Sequence, residues 1–134
     1  MGAWGTGTFD NDDASDWLQQ FESDGPPAVD AILTQILEHE AGDYIEITDA
    51  SYALAAAEFV AAARDGDISR LPDEAKAAFK EHHGDLMDAG YERRALQAVN
   101  RILKKSELKD LWEESEEAEA FTENVQELME RLRG

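Results

Sequence analysis

Apolar positions recur with a helical period along most of the chain. Trp17 and Phe21 stand four apart and share one face of a helix opened by Asp10, Asn11, Asp12 and Asp13. The run Ser23-Asp24-Gly25-Pro26-Pro27 breaks it, with proline where the first turn of the next helix tolerates a missing N–H. There Val29, Ile32, Leu33, Ile36 and Leu37 follow the i, i+3, i+4, i+7, i+8 pattern up to Gly42, which suits a left-handed helix end. Asp43 to Ile47 alternates briefly, and with no partner strand in view it reads as a connector. Thr48 or Asp49 then opens a helix in which every residue from Tyr52 to Ala63 is apolar except Glu58, closed by Arg64 and Gly66. A helix apolar all round belongs at the centre of a bundle, where its alanines allow close approach.

Further helices follow the same logic. Leu71-Pro72-Asp73-Glu74 starts one that carries Ala75, Ala78 and Phe79 and closes at His82-His83-Gly84. The next is predicted over 85–104, with Leu86, Met87, Tyr91, Ala95, Leu96, Val99, Ile102 and Leu103 as its stripe and Gly90 as a kink or close contact. Ser106 caps a short helix bearing Leu108, Leu111 and Trp112; the last carries Phe121, Val125, Leu128, Met129 and Leu132. The prediction is all-α: a single compact bundle of six or seven helices, one domain over residues 1–134. Residues 1–10 form a structured glycine-rich docking loop on a helical body of residues 11–134. In that loop Gly2, Gly5 and Gly7 flank Trp4 and Phe9, two rings that must be buried somewhere.

Charge changes the picture more than composition does. The 31 acids and 12 bases give a net charge of −19, and residues 1–63 contain no Lys or Arg. Half the bases, Arg93, Arg94, Arg101, Lys104, Lys105 and Lys109, lie on or just after the long fifth helix as counter-charges to the acidic first half. Such a field disfavours nucleic acid and anionic membranes, which need a basic footprint. It suits either a basic protein partner or a solvated surface adapted to salt or solubility. The chain has no cysteine, no apolar run that spans a bilayer and no secretory signal, which together point to a cytoplasmic protein.

Four stretches carry a family resemblance: the opening MGAWGTGTFDNDDASDWL, the central ALAAAEFVAA around Glu58, the LPDE helix start and the SELKDLWEES segment. Together they resemble the bacterial family called domain of unknown function 4259, over nearly the whole chain. The resemblance implies a small, mainly helical bacterial protein and no activity.

Glu58 is the residue that most needs explanation, because an ionised carboxylate on so apolar a helix is costly unless paired. It either marks a solvent strip, bonds the N–H groups of the glycine-rich segment, pairs with an arginine such as Arg93 or Arg94, or serves a ligand. The preferred expectation is that Glu58 anchors the N-terminal loop, so Trp4, Phe9, Asp10, Trp17 and Glu58 form the candidate anchor or ligand contact. Asp10, Asp12, Asp13 and Asp16 lack the glycine and distal glutamate of a calcium loop. Asp65-x-Asp67-x-Ser69 fails too, with Arg70 where glycine is required. His39, His82 and His83 lack metal-ligand spacing, and no nucleotide loop or nucleophile elbow is present. No catalytic residue, metal or cofactor is assigned. The reading is a non-enzymatic protein-binding module of the immunity- or antitoxin-like kind, leaning away from an enzyme. The alternatives are an enzyme or small-ligand protein using Glu58 under the N-terminal loop, and an acidity that reflects only solubility or halophily.

Overall fold

The apolar stripes become helices in a computed structural model, which describes residues 12–38, 44–87, 89–104 and 106–133. In chain order these are α1 (Asp12–Asp24), α2 (Pro26–Glu38), α3 (Ile47–Asp65), α4 (Asp73–His82), a 3-10 turn (His83–Leu86), α5 (Ala89–Lys104), α6 (Glu107–Glu113) and α7 (Ala118–Arg133). The protein is all-α, with seven α-helices and no strand among the described residues. Two helices end on the glycines that the breakers require. Gly25 has φ 71° and donates to the Phe21 carbonyl at 2.7 Å, and Gly66 has φ 77° and donates to the Ala62 carbonyl at 2.8 Å. Gly25 is doubly constrained, since a Cβ there would stand 3.1 Å from Cε1 of His82 on α4.

The helix α3 is the hub, packing against α1, α2, α5, α6, α7 and the 3-10 turn. Ala50, Ala53, Ala55, Ala56, Ala57 and Ala61 are fully buried along it, and their small side chains let several helices come close at once. On one side a ladder of rings joins three helices: centroids lie 5.5 Å apart for Trp17–Phe21, 4.5 Å for Phe21–Phe59 and 6.1 Å for Phe59–Phe79. Each such pair adds about 0.5–1.5 kcal/mol beyond simple burial. The stripe of α7 is buried as expected, and Trp112 of α6 stacks on Phe121 at 5.5 Å. No helix among the described residues is long and apolar enough to cross a membrane.

Two local expectations fail, and a third holds with an added contact. The start of α3 lies at Ile47, two residues before Asp49, and neither Thr48 nor Asp49 caps it. Glu46 occupies the cap position without a side-chain bond, and the Ile47 N–H instead donates to Glu107 Oε1 on α6 at 2.8 Å. A cap brought from 60 residues away leaves no local signature. The helix expected over 85–104 starts as an α-helix only at Ala89, so Gly90 falls in its first turn. The 3-10 turn precedes it and buries Leu86, while Met87 is 58 % exposed rather than part of the stripe. The connector at Tyr44–Glu46 carries one parallel bridge, Ile45 to Ser106, with the Glu107 N–H donating to the Ile45 carbonyl at 2.8 Å.

Candidate functional site

Glu58 lies on the fourth turn of α3 and is 1 % exposed, so it marks no solvent strip. Two guanidinium groups meet it. Arg70, in the loop after α3, donates to Oε2 from Nε at 3.1 Å and from Nη2 at 2.8 Å; Arg131, on α7, approaches Oε1 from Nη1 at 3.4 Å. Arg94 was the wrong arginine. It points to α2, where it pairs with Asp30 at 2.7 Å and also donates to Thr34, while Arg93 is exposed. The physical reason lies in position: Arg94 and Arg101 sit on the side of α5 that faces α2, and Arg101 donates to the Ile36 carbonyl in the last turn of α2 at 3.0 Å.

The second carboxylate of the cluster is Asp65. Arg131 clasps it with two bonds, Nε to Oδ2 at 2.8 Å and Nη2 to Oδ1 at 3.0 Å, and adds a bond to the Asp67 carbonyl at 2.8 Å. That fork geometry holds the Asp65 carboxyl below its ordinary range, helped by the Asp67 N–H and opposed by partial burial. It likewise holds the Arg131 guanidinium more firmly charged. Asp65 and Asp67 each accept the N–H two residues on, at 2.9 Å, so the sequence that resembled a broken calcium loop is a pair of aspartate-capped turns. Those turns present Arg70 to Glu58. The cluster extends outward through Arg70 to the Asn124 carbonyl at 3.2 Å and to Glu127 at 3.6 Å. At its far edge Arg64 donates to the Arg131 carbonyl at 3.0 Å, and its Nε lies 3.2 Å from Glu92, off the line a hydrogen bond needs.

Each oxygen of the buried Glu58 carboxylate thus faces a guanidinium, Oε2 that of Arg70 and Oε1 that of Arg131. The arrangement ties α3, the following loop and α7 together. Among the described residues no group of three or more His, Cys, Asp or Glu is placed to hold a metal ion. His82 instead packs edge-on against Phe21 at 5.6 Å, and His83 Nδ1 lies 3.1 Å from the Lys80 carbonyl. Of the other candidate residues, Trp17 is buried in the ring ladder, and its indole N–H has no hydrogen-bond partner among the described residues. Trp4, Phe9, Asp10 and the docking loop lie outside the described residues, as do His39 and Gly42.

A second constellation was not anticipated. Tyr44 is 47 % exposed, and its hydroxyl donates to Asp110 at 3.0 Å. Its hydroxyl proton is held more tightly than usual, first by desolvation and then by Asp110, Glu107 and Glu114. Tyr52, half-buried on α3, is affected in the same way by desolvation followed by Asp16, Asp13 and Asp49. Two tyrosines therefore stand in separate acidic settings near the start of α3, in the half of the chain that has no base. The alternation at Asp43 to Ile47 placed Tyr44 in a connector, and nothing local reveals that α6 lies beside it.

Over residues 2–124 the chain matches the model of a family described as "Domain of unknown function (DUF4259)". No curated protein and no solved structure matches it.

Proposed function

The chain belongs to the DUF4259 family, and we propose that this member is a non-enzymatic protein-binding module whose partner presents a basic surface, in the manner of immunity proteins and antitoxins. The observation that carries this reading is Tyr44, an exposed ring among Glu107, Asp110 and Glu114. Tyrosine supplies contact area at low entropy cost, and its ring face attracts Lys and Arg; the surrounding carboxylates steer the same groups toward it. Glu58 supports the reading from the other direction, since its acceptors are already engaged by Arg70 and Arg131. A cysteine-free chain of this charge suits the cytoplasm, working as one domain.

The test is affinity capture from the source cell, with the wild type and a Tyr44→Ala/Asp110→Lys variant run in parallel at about 0.15 M and about 1 M salt. A partner retained by the wild type at the lower salt, released at the higher and missed by the variant is the expected result. The captured protein, made recombinantly, should bind the wild type at least about tenfold more tightly than the variant. Equal capture by both proteins sinks the assignment of this face, and no salt-sensitive capture leaves the acidity as a solubility device.

A further inference from the structure

Helix α5 is the exception to the charge pattern of the fold. It carries Arg93, Arg94, Arg101 and Lys104 against one acid, Glu92, whereas every other helix carries more acids than bases. Three of these five charges are engaged inside the molecule: Glu92 by Arg64, Arg94 by Asp30, and Arg101 by the Ile36 carbonyl. Arg93 and Lys104 are not. Both are exposed, and neither side chain makes an ion pair or hydrogen bond among the described residues. They are three turns apart on one face of the helix, about 16 Å along its axis, with Gln97 exposed between them. The row consists of donors and an amide, without a carboxylate.

We propose that this face docks a second copy of the same chain, on the acidic ground around that copy's Tyr44. The proposal rests on the reading of the Tyr44 face as a base-recognising surface and names one base-bearing surface that fits it. Complementarity is the argument. Glu107, Asp110 and Glu114 recur at i, i+3 and i+7, all exposed, along and just past α6, so a row of acceptors faces outward beside Tyr44. A row of donors on one helix and a row of acceptors on another are self-complementary only between different faces. The contact therefore joins the α5 row of one copy to the Tyr44 face of the other, met twice about a two-fold axis or repeated head-to-tail, and the sedimenting species distinguishes a dimer from growing chains.

The overall charge gives this contact a distinctive salt dependence. Two bodies of −19 repel at long range, and that repulsion reaches about 30 Å at 0.01 M salt but only about 8 Å at 0.15 M. Association is weak at very low salt, strongest near physiological salt, and weak again near 1 M, where the local pairs are screened as well. Hydrophobic association would not fall at the upper end.

Sedimentation velocity across a protein concentration series at these three salts tests the proposal. Wild type should show concentration-dependent association with a maximum at the middle salt. Arg93→Glu/Lys104→Glu removes the donor face and Tyr44→Ala/Asp110→Lys the acceptor face, and each should weaken self-association by at least about tenfold. Mixed together, the two variants each retain one competent face and should form a one-to-one pair that grows no further. A wild type that is monomeric at every salt overturns the proposal, and so does a mixture that stays monomeric or an association that survives both variants. The Arg93→Glu/Lys104→Glu protein keeps its Tyr44 face and so separates the two readings. If it captures a basic partner while no self-association occurs, the functional reading stands and this one falls; if copies associate and no other partner is captured, the reverse holds.

Discussion

Two regions of this molecule treat carboxylates in opposite ways. Around Glu58, acids and arginines are drawn from α3, the loop after it and α7 into a cluster in which every carboxylate oxygen of Glu58 and Asp65 has a guanidinium in reach. Around Tyr44, Glu107, Asp110 and Glu114 lie exposed, and the contacts they make leave most of their lone pairs facing water. The residue types are the same, and the difference lies in whether the acceptors are used up. A buried, arginine-bound carboxylate specifies which helix packs where, and its net contribution to stability is small against the desolvation it suffers. An exposed one beside a ring contributes little to folding and remains able to recognise a cation.

The contrast breaks most easily at Glu58. Replacing it with alanine leaves Arg70 and Arg131 without their shared anion, and the fold should lose about 3 kcal/mol, the low end for a broken buried pair because both arginines keep a solvent edge. Urea denaturation measures this, and an unshifted midpoint would mean that the cluster does not hold α7.

Asp65→Asn probes the rim of the same cluster and should cost about 1–2 kcal/mol at neutral pH. Its sign with pH follows from the lowered carboxyl of Asp65 in the fold. The contribution is present in full above the unfolded value of about 4 and is lost as pH falls through the lower folded value. Thermal melts of wild type and variant should therefore differ at pH 7 and converge under strong acid. A gap that stays constant with pH would assign the effect to packing.

Tyr44→Ala sharpens the contrast from the exposed side, with an expected change in stability within about 0.5 kcal/mol. A loss as large as that of Asp65→Asn, in the same denaturation experiment, would place Tyr44 with the folding residues.

The seven helices were legible because their stripes keep a helical period and their ends carry Pro26, Gly66 and Ser106 in positions that only a helix end requires. The oddity of Glu58 was legible for the same reason, as a break in an apolar run. Its partners were not. Arg70 read as the residue that spoils a calcium loop, and only the two aspartate-capped turns reveal that the chain swings it back toward α3. Arg131 stands in the last turn of α7, where a basic residue suits the helix end, and nothing in that position reveals its reach across to Asp65. The Glu107 cap on Ile47 failed for a related reason. Capping rules look for a side chain within a turn of the helix start, and this one arrives from another helix.

The spacing of the arginines along the chain sets a timetable for synthesis. Glu58 meets its first guanidinium 12 residues later, at Arg70, but Arg131 follows 73 residues behind it. At ordinary ribosomal speeds the 61 residues between the two arginines take roughly 3–12 s. During that time the nascent α3 carries a half-neutralised carboxylate on a surface otherwise made to be buried. The hub of the bundle is thus completed late, and a growing chain stays open to chaperones, or to a second copy, until α7 arrives.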